Sequence, residues 1–266
     1  MRQALLPIAL VTTLLSSCGS DDGPRAVTEE TVELSEYGVI RIDHDTGTAQ
    51  TQLDAVFCGL TRPATAGSID ELFLTETDSC IVSNDAATDS SSGSDLVCSD
   101  TLPAQTISAG DNLLLGSAAG SYADLAQQNT DGNIAYSTSS LLPRPPNGLT
   151  LDIPGDTFPQ LSSVPIPDLQ DLVITSPADD ELLRSDTAIR WNAASDRTNS
   201  RILITASDAD VSVTCSLADD GRYNFSAATQ AELGELFAAS SLSIRRQNFD
   251  SPTRGDSGLV ILTSIK

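Results

Sequence analysis

Residues 37–57 read YGVIRIDHDTGTAQTQLDAVF, and this stretch decides the fold class. Residues 37–42 form a strand candidate, and Asp43-His44-Asp45-Thr46-Gly47 has turn chemistry. Ala49, Thr51, Leu53, Ala55 and Phe57 then alternate with Gln50, Gln52 and Asp54. A period of two places the apolar set on one face of a strand, and two such runs about an Asp/Gly turn predict a β-hairpin. Working outward, short strands are expected at 72–74, 80–82, 113–115 and 149–153. Further ones follow at 172–175, 189–193, 201–206, 211–217, 223–225, 242–245 and 259–265. Residues 84–95, nearly all small or polar, read as a loop. Ser226 can cap a short helix in which Leu233, Leu236 and Phe237 follow helical spacing. Many short strands with turn signals between them predict an all-β chain.

Seven of the 13 prolines fall within 143–167. Proline cannot donate to a sheet ladder, so this stretch reads as edge strands and extended connections. A domain boundary is expected at its end, which gives a β-rich domain over 31–167 and a second over 168–266. In the second, Trp191 alternates with Ile189 and Ala193 in an early strand, and Val211, Val213, Cys215 and Leu217 share one face of a later one. This layout resembles fibronectin type III and immunoglobulin-like sandwiches and implies two β-sandwich-like domains, the second Ig-like with one short helix. Trp191 is expected in the core rather than at a ligand.

The N-terminus carries a different signal. Arg2 makes a short basic start, residues 4–15 are uncharged, and Leu15-Ser16-Ser17-Cys18 follows. The apolar run is shorter than the roughly 20 residues a spanning helix needs and matches a secretory signal. The tetrapeptide resembles the bacterial lipobox. That resemblance implies removal of residues 1–17 and acylation of the Cys18 thiol by palmitate-like chains, each buried CH₂ adding about 0.8 kcal/mol of anchoring. Gly19 after the cysteine is similar to the pattern of outer-membrane lipoproteins. Residues 18–30, rich in Gly, Ser, Asp, Glu and Pro, read as a flexible acidic tether.

The chain has 37 acidic and 14 basic residues, a net charge of −23 and a pI near 4.1. Loss of residues 1–17 removes one Arg and leaves 13 basic against 37 acidic, or −24. Such a surface repels polyanions, so DNA and RNA are excluded as partners. Of the acidic residues 28 are Asp, a preferred turn residue, and they read chiefly as a solvating coat.

Cys18 apart, four cysteines remain: Cys58, Cys80, Cys98 and Cys215. Export permits disulfides. Cys80–Cys98 across the polar loop is the expected pair and Cys58–Cys80 the alternative; Cys215 is either a buried free thiol or, if all four pair, part of a bridge between the two domains. No spacing suits zinc. The clusters Asp43/Asp45 and Asp85/Asp89/Asp95 are candidate oxygen ligands for Ca²⁺, although none has the EF-hand pattern. Asp208/Asp210 and Asp219/Asp220 read as turns.

Gly255-Asp256-Ser257-Gly258 resembles the nucleophile motif of trypsin-like proteases, which implies Ser257 as nucleophile and a His as base. The one His of the chain, His44, sits in a predicted hairpin turn, and Leu259 replaces the family's next Gly. A polar turn is the expected reading, as it is for the integrin-type tripeptide Arg254-Gly255-Asp256. These observations together predict a lipid-anchored protein of the bacterial cell envelope, with the outer membrane favoured. It would be non-catalytic, acting in structure or adhesion toward an envelope protein or glycan. The alternatives are a glycoside hydrolase built on Asp/Glu pairs and a Ca²⁺-stabilised adhesin.

Overall fold

The computed structural model describes residues 32–73, 77–83, 96, 98, 102–176, 188–207, 212–225 and 241–266. The opening stretch forms the predicted hairpin. β1 (Glu33–Asp45) and β2 (Gln50–Thr65) pair antiparallel with Val39 opposite Val56 and Ile42 opposite Leu53. Asp45 closes the turn, its Oδ1 accepting from the Gly47 amide at 2.8 Å.

A short helix, α1 (Ala66–Phe73), follows β2. The strand expected at 72–74 is corrected here, since Leu72 and Phe73 are helical. Thr65 caps the helix, its Oγ1 accepting from the Ser68 amide at 3.2 Å. Ile69, Leu72 and Phe73 then have the i, i+3, i+4 spacing of an amphipathic helix. Ile69 is buried, and the Phe73 ring stands 6.0 Å from that of Tyr37.

The chain continues through β3 (Ser79–Ser83), β4 (Ala104–Thr106), β5 (Asn112–Ser117), β6 (Gly120–Thr130) and β7 (Asn133–Ser137). β8 (Thr150–Ile153) and β9 (Leu161–Pro165) come next, then β10 (Ile174–Ser176), β11 (Ile189–Trp191), β12 (Ser200–Ser207) and β13 (Ser212–Ala218). Last are β14 (Arg222–Tyr223), β15 (Ser241–Asp250), β16 (Thr253–Arg254) and β17 (Ser257–Ile265). The all-β class is therefore observed. The loop expected at 84–95 and the helix expected after Ser226 lie outside the described residues.

One 14-stranded sheet runs in the order β3-β13-β12-β15-β17-β1-β2-β7-β6-β5-β8-β9, with β16 paired to β17 and β4 to β2 off this path, and β10-β11-β14 form a second sheet. β17 lies parallel to β1 over nine residue pairs, from Glu36 opposite Ser257 to His44 opposite Ile265. Strands from both sides of the boundary expected at 167 thus share one sheet, and that boundary does not separate two sheets. Every residue of β17 is buried. A continuous apolar run such as 258–262 needs cover on both faces, which a central strand receives and an edge strand does not.

Three hydrophobic clusters cover this sheet. On one face of β1, β2 and β17, Ile40, Ile42, Leu53, Phe57 and Ile261 pack against Leu113, Leu125, Tyr136 and Leu151 of the sheet's far strands. On the other face Tyr37, Val39, Val56, Val260 and Leu262 pack under Ile69 of α1. Over β12 and β13, Ile202, Ile204, Cys215 and Leu217 meet Ile189, Trp191 and Phe225. Trp191 is core, as expected from its alternation. Gly38 is required by close approach, because a Cβ there would lie 2.6 Å from the Phe57 ring directly across the hairpin.

Candidate functional site

The four cysteines pair as Cys58–Cys98 and Cys80–Cys215. This corrects the expected Cys80–Cys98 pair and its alternative Cys58–Cys80; of the two possibilities for Cys215, the bridge and not the free thiol is observed. β3 adds to the edge of β13 with Cys80 directly opposite Cys215, which commits Cys80 to a partner 135 residues away. Cys58 and Cys98 close the cluster under α1. Cys18 lies outside the described residues.

The register separates the two halves of the protease-like motif. Ser257 sits opposite Glu36, and its Oγ donates to Glu36 Oε1 at 2.6 Å. His44 sits opposite Ile265, eight pairs further along. That spacing is roughly 26 Å at about 3.3 Å per residue, far beyond hydrogen-bond reach, so Ser257 and His44 form no nucleophile–base pair. Arg254-Gly255-Asp256 is a turn, as expected, with Gly255 at φ 65° joining β16 to β17. Asp256 Oδ2 accepts from Ser35 Oγ at 2.9 Å, which ties the turn to the start of β1.

The Ca²⁺ candidates in the hairpin are engaged within the chain. Arg41 bridges Asp43 and Asp54, with Nε 3.3 Å from Asp43 Oδ2 and Nη2 3.4 Å from Asp54 Oδ2. Burial raises the pKa of Asp43 above the usual carboxylate range, and the opposing pull of Arg41 does not cancel it. Asp45 holds the turn amides. Asp85, Asp89 and Asp95 lie outside the described residues. Among the described residues, no three His, Cys, Asp or Glu side chains are grouped to hold a metal ion.

Polar groups instead line a seam between the two cores that share one face of the long sheet. At one end, His44 Nδ1 lies 2.9 Å from Thr51 Oγ1, and Thr51 Oγ1 donates to the Pro143 carbonyl at 3.0 Å. A hydroxyl has one proton, so the His44 proton is assigned to Nδ1. Burial, aided by the charge of Arg144, lowers the His44 pKa below its ordinary 6.5. The unfolded chain therefore binds more protons than the folded one just below that value, and acidification costs stability. Urea midpoints should fall for the native chain as pH drops from about 7.5 to 5, and less steeply for His44→Gln. Superimposable pH profiles for the two chains would refute this role.

At the other end of the seam lies Asp219, the most heavily bonded carboxylate among the described residues. It follows β13 in a turn read from sequence as solvated, yet it is 1% exposed. Arg246 Nε donates to its Oδ2 at 2.6 Å and Arg246 Nη2 to its Oδ1 at 3.1 Å. Trp191 Nε1 donates at 2.8 Å, Ser200 Oγ at 2.7 Å and the Ala194 amide at 3.2 Å. Burial alone would raise the Asp219 pKa, but the hydrogen bonds from Arg246, Ser200 and Trp191 outweigh it and hold the pKa below the carboxylate norm. Five donors occupy both oxygens, so this carboxylate has no lone pair to offer a substrate.

Arg201, across the sheet from the seam, is 5% exposed and donates to Gln247 Oε1 and, at 2.8 Å, to the Phe73 carbonyl. Burial lowers its pKa to about 10. It joins α1 to β12 and β15 rather than facing solvent.

Between the polar seam and the segment after β9 lies an open groove lined by Pro165, Ile166, Asp168, Asp196, Asn248 and Asp250. Sequence reading missed it because its walls lie in separate parts of the chain. Comparison with known proteins gives no match, whether to a family model, a curated protein or a solved structure.

Proposed function

We propose that this chain is a lipid-anchored protein of the bacterial cell envelope, in which Cys18 carries the anchor and the β body serves a structural or binding role without catalysis. The observation that carries the reading is Leu15-Ser16-Ser17-Cys18 after an uncharged run over 4–15. It is supported by the other four cysteines, which are consumed in two disulfides. Structural disulfides persist in oxidising compartments, and export through a signal peptide delivers the chain to one. No described helix is long and apolar enough to cross a membrane, so an acyl chain would supply the attachment in this reading.

Expression in a bacterial host with an outer membrane tests it. The native chain should partition with detergent, incorporate a labelled fatty acid and lose the mass of residues 1–17. Cys18→Ala should abolish the label and move the protein to the aqueous phase. Equal partitioning of both chains, or an N-terminus that retains residues 1–17, would overturn the anchor.

A further inference from the structure

We infer that β3 is a self-association edge, at which two copies of this chain pair strand to strand, antiparallel, about a two-fold axis at Ile81. The long sheet ends in β3 on one side and in β9 on the other. The β9 edge is blocked. Its pairing with β8 is broken by a register shift, Ser163 within it has φ 55°, and Pro165 at its end has no N–H to give. β3 carries none of these devices. Ser79-Cys80-Ile81-Val82-Ser83 holds no proline and no charge, and it pairs with β13 over five residues without a bulge. The Cys80–Cys215 bridge fixes it in place, and Ile81 stands 58% exposed. A regular, uncharged edge with no described strand beyond it is a template for another strand.

The geometry selects a second copy as that strand. Cys80 and Cys215 lie directly opposite with Cα atoms 4.0 Å apart, the close spacing of a non-hydrogen-bonded antiparallel pair. The main-chain N–H and C=O of Cys80, and of Val82 two residues on, therefore point away from β13 to the free edge. No main-chain bond reaches them from another described segment. A copy of β3 laid antiparallel with Ile81 opposite Ile81 sets Cys80 opposite Val82 of the copy and Ser79 opposite Ser83. Each Cys80–Val82 pair then joins two edge-facing residues and exchanges two hydrogen bonds. The two Ile81 residues form the close pair between them, with both side chains on one open face. A slip of one residue sets an edge-facing residue against an inward-facing one and loses those bonds. Charge points to the same place. A chain with 37 acidic and 14 basic residues repels its copies over most of its surface, and β3 is free of charge. Because the two-fold closes and the β9 edge is blocked, assembly stops at two. Five residues per copy make a contact smaller than the ~1,200 Å² of a stable interface, so the dimer is weak and forms at high local concentration.

Sedimentation velocity of the full chain carrying Cys18→Ala, from about 10 μM to about 1 mM at physiological salt, measures the association. The mass should rise toward twice that of the monomer and no further. Amide exchange on the same samples should show Cys80 and Val82 gaining protection as concentration rises, with Ile81, whose amide faces β13, unchanged. Ile81→Lys sets two cations face to face on the two-fold and should weaken association by about tenfold or more. The Ile81 side chain is exposed, so the melting temperature should not change. A monomer at every concentration, a dimer indifferent to Ile81→Lys, or growth beyond two copies would overturn the proposal. So would Cys80 and Val82 amides protected already at the lowest concentration, which would place the cover within one chain. The acyl anchor takes no part in this measurement, so the anchor and the edge stand or fall separately.

Discussion

Asp219→Asn should lower the unfolding free energy by about 3–5 kcal/mol, the cost of leaving a buried guanidinium without its counter-charge. Arg246 is 1% exposed, and its remaining bonds run to the main-chain carbonyls of Asp171 and Asn192. One guanidinium thus ties the segment before β10 and the end of β11 to β15, and Asp219 ties the Trp191 ring to the same point. The small sheet is held on the long one by this network as well as by the apolar contacts of Trp191, Ile189 and Phe225. Arg246→Met should cost a similar amount, because it strands the carboxylate and two carbonyls together. The pair acts as a unit, so Asp219→Asn/Arg246→Met should be less destabilised than the sum of the two single changes. Urea unfolding followed by fluorescence of the single Trp measures all three chains. Single-variant losses below about 1 kcal/mol would show that the network does not hold the sheets together. The pH dependence has a definite sign. The folded pKa of Asp219 lies below its unfolded value, so this contribution is present above the unfolded value and is lost as pH falls through the folded one. Asp219→Asn should remove that part of the acid transition.

The second large effect is expected from Cys80–Cys215. The bridge spans 135 residues, and the chain-entropy relation assigns about 5 kcal/mol to a loop of that length, against about 4 kcal/mol for the 40-residue span of Cys58–Cys98. Cys80→Ala/Cys215→Ala should therefore lose stability by an amount in the range of about 2–5 kcal/mol. It also frees β3, a five-residue edge strand whose place in the sheet is its pairing with β13. Denaturant titration of the double variant checks the first expectation, and amide exchange over 79–83 checks the second. A stability loss under about 1 kcal/mol with unchanged protection would refute both.

The parts legible in the sequence are those governed by neighbours along the chain. The hairpin over 37–57 follows from alternation and a turn, and Trp191 was assignable to the core from Ile189 and Ala193 beside it. α1 was also within reach. Thr65, Ser68, Ile69, Leu72 and Phe73 spell a capped amphipathic turn, whereas the apolar run 72–74 taken alone reads as strand. Short apolar runs are ambiguous between the two periods, and the cap at Thr65 was the signal that distinguished them.

The candidate site was less legible. Asp219-Asp220-Gly221 has turn composition, and the chain does turn there, with Gly221 at φ 95°. Composition gave no hint that Asp219 would be covered by Trp191, Ser200 and Arg246, which lie 19 to 28 residues away. The disulfide pairing failed for a related reason. Loop length favoured cysteines near in sequence, whereas pairing is set by which strands become neighbours.

The sequence by itself determined the β class, the hairpin and the acidic net charge, because alternation, turn chemistry and net charge are local or additive properties. It also supplied the lipobox-like tetrapeptide on which the anchoring proposal rests. Only the tertiary structure decided that the final strand joins β1 in parallel and that Cys80 meets Cys215. It likewise decided that a turn aspartate becomes a buried counter-ion. Each of these depends on contacts between segments far apart in the chain, selected by the need to cover a strand such as β17 on both faces and to satisfy every polar group buried in doing so.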